Sequence, residues 1–284
     1  MKWPTWDQAA VATVVLGAVW LATRRSSRDR VRLVSAMAQE LALVAFLYAI
    51  WRLARQLPLT HEPGAEERGR WIWEFQQSVH LPSELAMEQW VMRHDLLAHL
   101  TVWYYASLHV PSLIAFLIWL WVRHPEAYPR WRNALAVATG GCLFLRFIRV
   151  APPRLLPDLG FVDLPAALGR DIYGPIGTGA SDQYAAMPSI HVAWAVVVGV
   201  GVFTVARSRW RWIGLAHVAL TFWAVMATAN HWWLDGIVAA ALVGIGLVAD
   251  DVVRGAVRRR RDRRDQDGSP APDGEPVVDL VASG

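Results

Sequence analysis

His231 and Asp235 stand four residues apart in Asn230-His-Trp-Trp-Leu-Asp235, the spacing at which two side chains share one face of a helix. An aspartate that accepts one ring N–H fixes the imidazole tautomer and aims the other nitrogen as a nucleophile or base. The plainer alternative is an interfacial histidine at a helix end. Against it, a carboxylate one turn into an apolar run is costly without a partner. A second histidine, His191, closes Met187-Pro-Ser-Ile-His191. With Pro188 at the first position of a helix, the N–H groups of Ser189, Ile190 and His191 and the Ser189 hydroxyl would face whatever lies at that end. Such an end attracts anions, although Pro-Ser is also simply a good way to start a helix. Arg146, Arg149 and Arg154 add positive charge at the end of another apolar run, as planar forks for phosphate or as side chains reaching outer headgroups. Two imidazoles, a carboxylate, an anion-binding helix start and several guanidinium groups suit phosphoryl transfer, where catalysis is mostly positioning and charge stabilisation.

The elements that hold these residues must lie in a membrane. Of the 284 residues 55% are hydrophobic, seventeen are Trp and only 18% are charged, more apolar surface than a soluble chain can cover. Long apolar runs predict seven spans, at about Ala9–Thr23, Leu33–Leu53, Leu96–Val122, Ala134–Val150, Ser189–Ala206, Trp212–Ala229 and Trp233–Val253. The expected fold is therefore all-α, a polytopic helical bundle. Arg clusters follow the first, third, fifth and seventh runs, which puts the N-terminus outside, the C-terminus in the cytoplasm and the chemistry at the outer face of the cell membrane. The formal charge of +4 suggests nucleic acid, but the Arg residues sit in short blocks beside apolar runs, so no nucleic-acid partner is expected. The single cysteine, Cys142, excludes an intramolecular disulfide and a thiolate metal cage.

Three parts follow from this layout: a first span with its basic loop (1–32), a catalytic membrane domain (33–253), and a basic then disordered tail (254–284). Residues 62–95 are polar yet carry Trp71, Trp73, Phe75 and Trp90, and read as two amphipathic helices on the outer surface, the second opened by Pro82-Ser83-Glu84. Residues 152–187, rich in Pro, Gly and Asp, read as an outer loop, and Asp265–Gly284 as disordered. Glu40 is either structural or cavity-lining. His99 and His217 read as packed or interfacial histidines, while His109, with Tyr104 and Tyr105, Tyr184 and Asn230 are candidates for the pocket wall.

At this point the sequence resembles a known family. Met187-Pro-Ser-Ile-His191 and His231-Trp-Trp-Leu-Asp235 look like the second and third signatures of the type 2 phosphatidic acid phosphatase superfamily. Ala151-Pro-Pro-Arg154, Gly160-Phe-Val-Asp163, Tyr184-Ala-Ala-Met187 and Tyr104-Tyr105 with His109 look like its branch containing the inositol-phosphorylceramide synthases. The resemblance covers roughly Leu33 to Val253 and implies a six-helix core. It implies that His231 is the nucleophile, forming a phosphohistidine, that Asp235 orients it, and that His191 protonates the leaving oxygen. Arg154 and Ser189, with Arg146 or Arg149, would grip the phosphate. Two departures concern that grip. The first signature's Arg-Pro is here Arg154-Leu155, with Arg146 or Arg149 in place of a Lys, and the Ser-Arg expected upstream of the third-signature histidine is Ala224-Val225. The reading is a lipid phosphotransferase or phosphatase, inositolphosphotransferase-like, without metal or cofactor, moving a head group from a membrane lipid to water or an alcohol. A simple phosphatidate or polyprenyl phosphate phosphatase is the alternative; a lipid flippase and a metallohydrolase built on His191, His231 and Asp235 are further rivals.

Overall fold

The structure is a computed structural model in which residues 4–56, 64–170 and 183–267 are described. Helices account for almost all of the regular structure, and among the described residues the one β-type contact is a parallel bridge between Val150 and Ala185. The expected all-α bundle is present. α1 (Trp6–Thr23) and α2 (Asp29–Gln56) form a hairpin. α3 (Ala65–Ser78) and α4 (Glu84–Met92) are the two helices expected between residues 62 and 95. They are followed by α5 (Asp95–Ser107), α6 (His109–Arg123), α7 (Tyr128–Leu145) and the short α8 (Leu164–Ala167). α9 (Ile190–Val205), α10 (Trp212–Ala227) and α11 (Trp233–Asp267) complete the fold.

The third expected span, Leu96–Val122, is not one helix. It breaks at Leu108 into α5 and α6, which meet at a bend of 50°. Pro111 explains the break: it has no N–H to give the Ser107 carbonyl, and its ring collides with that carbonyl. Helix α7 starts at Tyr128 with Pro129 in its first turn and stops at Leu145, earlier at both ends than expected, so Arg146 and Arg149 lie just beyond the helix rather than within a span. By length and apolarity α1, α2 and the first part of α11 can each cross a membrane, and a fourth span arises if the bent pair counts as one. The count of seven is thus not reached on those grounds, although a helix occupies each expected region. Exposed Val14, Leu41, Ile118, Ile245 and Val248 on these helices are the surface a bilayer would cover. Helix α11 runs on to Asp267, through the residues 265–267 expected to be disordered; the remainder of that tail and residues 171–182 of the expected outer loop lie outside the described residues.

Helix α9 is the axis of the bundle. It is apolar on all sides, as a helix surrounded by protein should be, and it packs against α6, α7, α10 and α11. Glycines permit the closest approach: a Cβ on Gly199 would sit 2.4 Å from the Gly214 carbonyl oxygen, and one on Gly214 2.5 Å from that of Gly199. The α1–α2 hairpin sits to one side, tied to the bundle by the Glu40–Arg132 ion pair and by Trp51 against Trp194, which makes Glu40 structural. Gly199→Ala should therefore force α9 and α10 apart and lower stability by about 1–3 kcal/mol. Gly140→Ala, where a Cβ meets nothing within 4 Å, should be neutral or slightly stabilising. Thermal unfolding of the two variants in detergent checks the difference.

Candidate active site

The chain reverses between α10 and α11 through Ala229, whose φ of 53° lies in the left-handed region, and Asn230, His231 and Trp232 follow before α11 begins. His231 is therefore not on the helix, and the expected meeting of His231 and Asp235 on one helical face does not occur in that form. They meet because Asp235, at the third position of α11, reaches back. Its Oδ2 accepts the Trp232 N–H at 2.8 Å, one half of a capping box, and lies 3.3 Å from Nδ1 of His231. The nearer partner of that nitrogen is the Ala186 carbonyl, at 2.8 Å. With an amide oxygen and a carboxylate both at Nδ1, the proton belongs there and Nε2 keeps the lone pair.

The backbone amides at this helix start are each satisfied by a side chain. Asp235 takes that of Trp232, Glu84 takes that of Trp233 at 3.2 Å, and Gln76 takes that of Leu234 at 2.9 Å; Gln76 also donates to Glu84 at 2.6 Å. Behind them Trp232 is fully buried, donating its indole N–H to the Ala151 carbonyl at 2.9 Å, with Phe161 edge-on at 5.7 Å and Trp73 at 6.0 Å. Trp232, Phe161 and Trp73 therefore form an aromatic wall beneath the site. Trp71 and Trp90 face outwards.

His191 stands on the first turn of α9, its ring centroid 6.0 Å from that of His231. Pro188 precedes the cap rather than opening the helix. Ser189 is the N-cap, its hydroxyl accepting the Val192 N–H at 3.3 Å and its own N–H going to the Asp235 carbonyl at 3.2 Å. Of the donors expected to meet an anion there, the Ser189 N–H is thus committed to the protein, and it ties the start of α9 to the first turn of α11. His109 is buried against His191 at 4.9 Å, with Tyr105 at 4.8 Å from the same ring. Tyr104 instead bonds His217 at 2.7 Å and Thr221 at 3.0 Å. His99 rests on the Asp95 carbonyl at the surface.

Arg154 is buried beside the pair. Its Nε donates to Asn230 Oδ1 at 3.0 Å, and its Nη1 to Gln183 at 3.0 Å and to Asp163 at 3.3 Å, while its backbone N–H meets the Ala229 carbonyl. Arg146 and Arg149 are buried where the chain leaves α7, and Arg68 donates to the Arg149 carbonyl at 2.6 Å. Tyr184 is half-buried, and its carbonyl accepts the Val150 N–H at 2.8 Å, joining the segment before α9 to the one after α7. The structure thus brings His231, Asp235, Asn230, Arg154, Ser189, His191 and His109 to one end of the bundle. Sequence reasoning missed the Ala186 carbonyl, Gln183, Gln76 and Glu84.

Residues 70–249, more than half of the chain, match the PAP2 superfamily, the type 2 phosphatidic acid phosphatases. The chain belongs to that superfamily. No curated protein and no solved structure matches it. The PAP2 region begins within α3 and ends within α11, so α1 and α2 lie outside it, a narrower extent than the expected start at Leu33. PAP2 membership supports a phosphatase or phosphotransferase of that type.

If His231 attacks phosphorus, His231→Ala should abolish turnover in a normally inserted protein. Asp235→Asn should retain part of it, with kcat down about ten- to a thousandfold, because Ala186 still fixes the tautomer while the carboxylate charge is gone. Steady-state rates on purified variants decide this, and near-normal turnover of His231→Ala would end the assignment.

Proposed function

We propose that this PAP2 protein is a metal-independent membrane enzyme that moves a phosphate-containing head group from a lipid to an alcohol or to water through His231. The observation that carries the reading is the pairing of His231 Nδ1 with Ala186 and Asp235, which leaves Nε2 as the attacking atom. In the first step Nε2 bonds to phosphorus as the bond from phosphorus to the leaving oxygen breaks, and that oxygen takes a proton from His191. In the second, His191 takes the proton of the incoming hydroxyl, whose oxygen displaces His231. Arg154, held in plane by Asn230, Gln183 and Asp163, meets the phosphate charge with Arg146, Arg149 and the first turn of α9. Ser189 supports that turn as its cap.

Transfer to an alcohol is favoured over hydrolysis, because a phosphohistidine in a site backed by Trp232, Phe161 and Trp73 is shielded from water on that side. The likeness of Ala151-Pro-Pro-Arg154 and Gly160-Phe-Val-Asp163 to the inositol-phosphorylceramide synthase branch points the same way. The Arg clusters support a site at the outer face of the cell membrane, with the N-terminus outside and the C-terminus inside.

The test supplies a labelled lipid phosphate or phosphodiester to right-side-out vesicles, with membrane-impermeant alcohols outside. The phosphate ester of the added alcohol should rise with acceptor concentration as free phosphate falls. Chelators should leave the rate unchanged, and vanadate should inhibit. Free phosphate alone across a broad acceptor panel would make the enzyme a phosphatase. Activity restored by one particular metal would favour metallohydrolysis, and product formed only after the vesicles are opened would reverse the orientation.

A further inference from the structure

Glu84 and Glu88 lie one turn apart on α4, and both are shut away from solvent, 1% and 0% exposed, although α4 is not among the candidate spans. Buried carboxyl groups are costly unless they hold something in return. Glu84 holds the start of α11: its Oε1 accepts the Trp233 N–H and the Gln76 amide, and Gln76 carries the Leu234 N–H. Glu88 holds the arm after α7, both of its oxygens accepting the Val162 N–H, at 3.2 and 3.3 Å. The residue after Val162 is Asp163, the partner of Arg154, and Arg154 in turn binds Asn230 beside His231. One short helix thus grips two separate pieces of the site, each through a backbone amide within two residues of a carboxylate of the site.

We propose that α4 is a bracket for the active site: Glu84, with Gln76, positions the His231–Asp235 turn, and Glu88 positions the Asp163–Arg154 arm. The proposal rests on the reading that His231 and Arg154 act on phosphate. These glutamates are positioning residues that act through backbone amides, since the reacting groups lie on other elements. The two carboxyls at the α11 start, Glu84 and Asp235, bind successive amides, and one oxygen of each, Glu84 Oε2 and Asp235 Oδ1, has no hydrogen-bond partner among the described residues. Burial, with a smaller push from the Asp235 charge, raises the Glu84 pKa, and burial pushes that of Glu88 up to about 7. Glutamine keeps the accepting oxygen at that position and adds no charge beside Asp235.

The test uses the full chain in detergent and the lipid donor that gives most turnover in the vesicle assay, with rates normalised to folded protein. Glu84→Ala should lower kcat about ten- to a hundredfold with KM little changed, the size expected of a small misplacement of reacting groups. Glu84→Gln should stay within about threefold of the parent. Glu88→Ala should act mainly on KM, through loosened Arg154, and Glu88→Gln should restore it. Should Glu84→Ala fail to fold, Gln76→Ala, which leaves the Glu84–Trp233 bond in place, should still lower kcat severalfold. Normal kcat and KM in the folded alanine variants, or losses that glutamine does not rescue, would overturn the bracket. If His231→Ala remains active, the underlying reading fails instead, whatever the α4 variants do.

Discussion

A helix that starts inside a membrane protein exposes backbone N–H groups to a place with no water to receive them, and each one left bare costs about 1–3 kcal/mol. At the start of α11 the amides of Trp232, Trp233 and Leu234 are satisfied by Asp235, Glu84 and Gln76 in turn. This arrangement organises the site. Because Asp235 must bend back to cap its own helix, its carboxylate arrives at Nδ1 of His231; because its carbonyl receives the Ser189 N–H, the start of α9 and hence His191 is fixed to the same turn. A structural requirement of the fold and the aiming of the candidate nucleophile are met by one side chain.

The same economy appears on the other side of the site. Arg154 is held by three oxygen acceptors from Asn230, Gln183 and Asp163, which come from three separate stretches of chain, so its planar fork is held in one orientation. Fixed charge of this kind needs no reorganisation during reaction, and it acts more strongly in a dry environment than in water. The aromatic wall of Trp232, Phe161 and Trp73 supplies dryness from below, and the Trp232 indole spends its one donor on Ala151, so burying it leaves no polar group unmet.

Much of this could be read from residue types and spacing. His231, Asp235, His191 and Arg154 stood out because ionisable groups at the ends of apolar runs need a reason to be there. The bundle was legible because lipid-facing helices must be apolar. What escaped was non-local or geometric. Glu84 and Gln76 look like the polar stripe of a surface helix, and nothing within α3 or α4 says that this stripe turns inwards to a turn about 150 residues later. The Ala186 carbonyl has no signature at all, since every residue has one. The four-residue spacing of His231 and Asp235 was read correctly as a pair but for the wrong reason, the helix beginning two residues after the histidine. The break at Leu108 is signalled by Pro111, which a single long apolar run conceals.

Nε2 of His231 is the atom proposed to carry the phosphate. Mixing the purified enzyme with a lipid donor labelled with phosphorus-32, quenching in alkali within a few milliseconds and mapping the labelled peptide tests this directly. An acid-labile, alkali-stable label on the peptide that contains His231, lost on addition of acceptor alcohol and absent in His231→Ala, is the predicted result. A label on another residue, or turnover with no labelled enzyme at any quench time, would contradict it.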